Sequence, residues 1–250
     1  MHHFKRLFYS LSFILCLLAA QCPNNTRDSN SSSNIDIKEI VSNNGSTFAI
    51  SEDGKVYAWG LNTFGQLGLS TTDNPQKTPK QVTGEIEHIA IKAIKTSNGS
   101  TFVLSQDGKL YAWGNNAFGQ LGFDTKSEPQ NTPRQVIDEI KSIAIKAIAT
   151  SNNSTFALST EGKVYAWGYN EHGELGYGTK GESQNTPKQV TDGIEKTEII
   201  EISTDGNSTF AISKGGKVYA WGNNEDNILG LGNDINSDEV ITPQQVLFEQ

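Results

Sequence analysis

The sequence predicts an all-β protein, a β-propeller-type array of four four-stranded antiparallel blades, partial or small as a ring. Three observations predict it. Tryptophans stand at Trp59, Trp113, Trp167 and Trp221, each 54 residues after the last. The segments around them alternate β-branched or aromatic residues with short Gly-containing turns, and none has helical period or length. Self-similarity at a fixed period of this size marks stacked supersecondary units, because each unit buries its faces only against its neighbours.

The repeat is dense. Gly-Lys-Val/Leu-Tyr-Ala-Trp-Gly occupies 54–60, 108–114, 162–168 and 216–222, and Ser-Thr-Phe-Ala/Val-Ile/Leu-Ser precedes it at 46–51, 100–105, 154–159 and 208–213. Gly-Gln/Glu-Leu-Gly follows at 65–68, 119–122 and 173–176, then Thr-Pro-Lys/Arg/Gln-Gln-Val at 78–82, 132–136, 186–190 and 242–246. In the second unit, Ile89–Ile94 is the first strand candidate and Thr101–Leu104 the second. Gln106-Asp107-Gly108 turns the chain into Lys109–Trp113, with Gly at the position that needs positive φ. A fourth strand is expected around Gln135–Val136, after Pro133, at a sheet edge. The units divide at about 37–85, 86–139, 140–193 and 194–250. Trp59, Trp113, Trp167 and Trp221 are the expected structural core, filling the joints between blades.

Ahead of the repeats, residues 1–21 read as an export signal: Lys5 and Arg6, then an apolar run from Leu7 to Ala20, broken only by Tyr9, Ser10 and Ser12 and closed by the small residues Ala19 and Ala20. The run is short for a membrane span, though a retained signal-anchor is the competing reading. Leu18-Ala19-Ala20-Gln21-Cys22 resembles the lipobox of bacterial lipoproteins, which implies lipidation at Cys22; Gln21 departs from that pattern, and ordinary cleavage after Ala20 is the alternative. Residues 22–36 are rich in Asn and Ser and suit a flexible tether. The expected location is the cell envelope or the extracellular space.

The 250 residues carry a formal charge of −8, and without Lys5 and Arg6 the remainder stands at −10. That balance argues against nucleic acid as partner, whose phosphates call for Lys and Arg. Both cysteines, Cys16 and Cys22, precede the repeats, and His88 and His172 stand far apart, so no metal site, cofactor or disulfide framework is expected. Neither a phosphate loop nor a nucleophile–base set is present, which predicts a non-enzyme.

The string Phe-Ala-Ile-Ser-Glu-Asp-Gly-Lys-Val-Tyr-Ala-Trp-Gly-x-Asn-x-x-Gly-Gln-Leu-Gly, with its later Thr-Pro-x-Gln-Val, resembles the regulator of chromosome condensation repeat over residues 37–250. The resemblance implies propeller blades. Two departures stand out. Ser-Thr (46–47, 100–101, 154–155, 208–209) replaces the usual His-Thr or His-Ser, and the last unit reads Asn227-Ile228-Leu229-Gly230. The family's best-known members close a ring of seven blades; four should form an arc, or a ring completed by self-association.

The expected function is protein binding through the inter-strand loops of one face. The units differ most after each Trp-Gly and over 69–77, 123–131, 177–185 and 231–241, and Phe64, Phe118, Tyr169 and His172 are the candidate anchors. Packed loop residues are the competing reading of those four. The resemblance carries guanine-nucleotide exchange on a small GTPase as an alternative, and inhibition of an extracellular enzyme as a special case of binding.

Overall fold

In the computed structural model each repeat folds as one antiparallel four-stranded meander. The structure describes residues 34–125, 128–136, 138–232, 235 and 237–248. The first blade is β1 (Ile37–Asn43), β2 (Ser46–Ser51), β3 (Val56–Gly60) and β4 (Gln76–Gln81). The second is β5 (Ile91–Ser97), β6 (Ser100–Ser105), β7 (Leu110–Gly114) and β8 (Gln130–Gln135). The third is β9 (Ile145–Ser151), β10 (Ser154–Ser159), β11 (Val164–Gly168) and β12 (Gln184–Gln189). The fourth is β13 (Ile199–Asp205), β14 (Ser208–Ser213), β15 (Val218–Asn223) and β16 (Glu239–Val246). Strand order in every sheet is sequential.

Two registers differ from the sequence expectation. The first strands run later, Ile91–Ser97 instead of Ile89–Ile94 in the second unit and Ile37–Asn43 in the first. They extend to the positive-φ turns at Asn98-Gly99 and Asn44-Gly45, so that Ser97 pairs with Ser100 and Asn43 with Ser46. The fourth strands run longer, Gln130–Gln135 and Glu239–Val246. Pro133 lies inside β8 at an irregularity between the pairs Ala112–Arg134 and Gly114–Gln130, where its missing N–H breaks no ladder bond. Three one-turn 3-10 segments (Gly84–Ile86, Asp138–Ile140, Glu225–Asn227) are the helical content of the described residues.

Because side chains alternate across a strand, each sheet has two apolar faces. In the second blade, Thr101 lies opposite Trp113 and Val103 opposite Tyr111 on one face, while Phe102 lies opposite Ala112 and Leu104 opposite Leu110 on the other. The Trp face packs on the preceding blade and the Phe face on the following one. Thus Phe48, Ile50, Val56 and Leu67 of the first blade form one cluster with Ile91, Ile94, Tyr111 and Trp113 of the second. The same partition recurs at the joints between blades two and three and between three and four. First strands of successive blades touch one another, and the fourth strands form the outer edges.

The end blades differ. Ile40 is 64% exposed, whereas its counterparts Ile94 and Ile148 are 1% and 8% exposed. Phe210 and Val246, which correspond to buried Phe156 and Val190, are half-buried. The Trp face of the first blade and the Phe face of the fourth therefore lie uncovered by another described blade.

Candidate protein-binding face

The loops that follow β3, β7, β11 and β15 share one internal frame. Buried Asn62, Asn116, Asn170 and Asn224 each accept from the backbone N–H of the Leu five residues on, at 3.0–3.2 Å. Each side-chain NH2 donates back to a loop carbonyl: Thr71, Thr125, Thr179 or Ser237. Ser46, Ser100, Ser154 and Ser208 hydroxyls donate to the carbonyls of Leu61, Asn115, Tyr169 and Asn223 at 2.7–2.8 Å. The Ser of the Ser-Thr pair thus ties the loop to the sheet.

The Trp-Gly dipeptide has a steric reason. Gly60, Gly114, Gly168 and Gly222 hold φ near +100°, and a Cβ on any of them would stand 2.2 Å from the carbonyl oxygen of Gly45, Gly99, Asn153 or Asn207.

Joints between blades lock these loops to the next sheet. The indole N–H groups of Trp113, Trp167 and Trp221 donate at 2.7 Å to the carbonyls of Gln66, Gln120 and Glu174 in the preceding loop. Thr101, Thr155 and Thr209 hydroxyls donate to the same three oxygens at 2.9–3.1 Å. Both lone pairs of each buried carbonyl are filled, and three of the four tryptophans are fully buried. Trp59 is only partly buried, in a hollow beside Ile37, Ile40 and Tyr57.

All four anchor candidates lie on this loop side. Phe64 (42% exposed) lies over Gly99 of the next blade, where a Cβ would approach its ring to 2.8 Å. Phe118 (36% exposed) meets Tyr169 edge-to-face, with ring centroids 5.0 Å apart and planes at 79°. Exposed Leu61 extends the apolar rim. His172 turns elsewhere: its Nδ1 lies 3.1 Å from a carboxylate oxygen of Glu239, which also pairs with Lys180. The Lys180 ammonium, helped by His172, holds the Glu239 carboxyl below its ordinary range. The rim therefore divides into an aromatic stretch over blades one to three and a charged stretch at blades three and four. Cys22 lies outside the described residues.

Sequence reasoning missed one titratable group here. Glu174 replaces the Gln of the first two repeats, and its carboxyl is almost wholly buried. One oxygen accepts from the His172 N–H at 2.9 Å, and the other has no partner among the described residues. Burial raises its pKa to about 7. The Gln/Glu exchange within Gly-Gln/Glu-Leu-Gly was the available signal. Among the described residues no group of three or more His, Cys, Asp or Glu side chains could hold a metal ion, and no helix is long and apolar enough to cross a membrane.

A model of the RCC1-like domain matches residues 17–250. The ultraviolet-B receptor UVR8 of Arabidopsis thaliana is 30% identical over 217 residues, covering 86% of this chain and 47% of UVR8. Human WBSCR16 superposes with a TM-score of 0.72 at 23% identity, covering 85% of this chain and 53% of the other. Yeast RCC1 (Prp20), crystallised bound to Kap60, gives 0.72 at 22% identity, with 86% and 50% covered. The chain spans about half the length of each, and the two structures share its fold.

Proposed function

The chain belongs to the RCC1-like domain family, and from that premise we propose that it is a non-enzymatic protein-binding module that captures its partner on the loop rim. The observation that carries the reading is the apolar rim of exposed Leu61, Phe64 and Phe118, with Tyr169 packed edge-to-face on Phe118, on loops held rigid by buried Asn side chains. Rigid aromatics lose little entropy on contact and dominate interface energetics. Yeast RCC1, with the same fold, has been crystallised with a protein partner, which supports the class of ligand. The leader and Cys22 support display on the cell envelope by a lipid anchor, with residues 22–36 as the tether.

The test is retention of envelope or extracellular proteins by the immobilised chain. Replacing Phe64 and Phe118 together with Ala should weaken capture roughly thirty-fold, about 2 kcal/mol. Circular dichroism should stay that of the parent. Unchanged capture rejects this rim. Guanine-nucleotide exchange, the second reading, follows from the family and is read by nucleotide release from a small GTPase.

A further inference from the structure

The three joints inside the chain define what a fourth joint would need, and the two end faces supply its halves. On the first blade, Trp59, Tyr57, Ile37 and Ile40 occupy the positions that Trp113, Tyr111, Ile91 and Ile94 fill on the second. The latter four are at most 4% exposed, whereas Ile37 and Ile40 are 42% and 64% exposed. An apolar hollow of about 250 Å³ opens here, lined by Ile37, Ile40, Ala49, Tyr57, Trp59 and Pro79. On the fourth blade, Phe210, Leu231 and Val246 surround the small cluster of Ala220, Leu229 and Val240 without a Trp face against it.

Polar groups match as the apolar ones do. The Trp59 indole N–H donates to no described residue, although the other three indoles each donate to the loop carbonyl of the blade before. Ile228 occupies the place of Gln66, Gln120 and Glu174 in the last loop, and no described residue donates to its carbonyl. Along the hairpin side, Ile91, Ile145 and Ile199 N–H groups donate to Gly54, Gly108 and Gly162 at 2.9–3.0 Å. The same spacing pairs Ile37 with Gly216, the two unmatched members of that series. Donors are left over at one end and acceptors at the other, so the two faces complement each other and neither complements itself.

We infer that a second copy of this chain docks head to tail, the Trp59 face of each copy against the Phe210–Val246 face of the other. Two such contacts related by a two-fold axis close a ring of eight blades, within the range that propellers adopt. The contact uses the end blades' sheet faces, so it is separate from the loop rim proposed for partner capture.

Sedimentation velocity of the full chain over a hundred-fold concentration range tests this, with Ile40→Arg and Val246→Arg as variants. Neither side chain is fully buried in the single chain, and unchanged circular dichroism and Tm verify that each variant folds. The parent should form a dimer, and each variant alone should be monomeric. An equimolar mixture of the two should regain a dimer, because each retains one intact face of the pair. Acrylamide should quench one tryptophan of four in the variants and none in the parent dimer. A parent that stays monomeric, a Val246→Arg variant that dimerises like the parent, or a mixture that stays monomeric overturns the inference. So does a monomer whose Trp59 is shielded, which would place residues 1–33 on that face.

Discussion

Glu174→Gln should stabilise the protein at alkaline pH and do almost nothing at acid pH. The carboxyl stands where Gln66 and Gln120 stand in the first two blades, in a site where one oxygen finds no donor among the described residues. Its pKa is about 7 in the folded chain against 4.5 for the free group. Between those values the folded state holds a proton that the unfolded state has released, so raising the pH favours unfolding. The neutral carboxyl's contribution is fully present below about pH 4.5 and is lost as pH rises through 7. At 1.36 kcal/mol per pH unit, that interval caps the loss at about 3 kcal/mol. Gln has no charge to desolvate and can donate as Gln120 does to Asn153 at 3.1 Å. At pH 8 the variant should gain up to about 3 kcal/mol, raising Tm by roughly 10 °C for a domain of this size. The assay is thermal unfolding of parent and variant at pH 4.5, 6 and 8, followed by circular dichroism. The decisive quantity is the Tm difference between the two proteins, which cancels the titration of other groups. A difference that does not grow with pH, or a variant less stable than the parent at pH 8, refutes the reasoning.

The repeat allows the same substitution to be compared in two environments. Trp113→Phe removes a buried indole bond to the Gln66 carbonyl and part of a fully packed side chain, and should cost about 2 kcal/mol. Trp59→Phe in the monomeric Val246→Arg background should cost less than about 1 kcal/mol, since that ring has no neighbouring blade among the described residues; equal losses by urea titration would contradict the assignment of the faces. Gly114→Ala places a Cβ 2.2 Å from the Gly99 carbonyl at φ near +98° and should destabilise by at least about 2 kcal/mol, read as a lower urea midpoint at unchanged slope.

Some of the loop chemistry was legible residue by residue. The Ser-Thr pair, the Asn after Trp-Gly and the Gln-Leu step recur too strictly to be solvent-facing accidents, yet their spacing alone does not reveal their partners. Thr101 bonds a carbonyl 35 residues back and Trp113 one 47 residues back, across a joint between sheets. Such contacts depend on how one sheet is laid on another. The anchor candidates show the same limit: Phe64 and Phe118 emerge on a shared aromatic rim, while His172, at the same repeat position, turns to Glu239. A one-residue change in the loop and a carboxylate 67 residues away decide that difference.

The sequence by itself determined the repeat, the four-strand meander of each unit and the glycine turns, because these rest on local period and backbone sterics. Tertiary structure decided the strand ends, which follow pairing and bulges, and the fate of four identical tryptophans. Three are sealed and one is only partly buried, since burial belongs to the surface pressed against a residue and not to the residue's own segment.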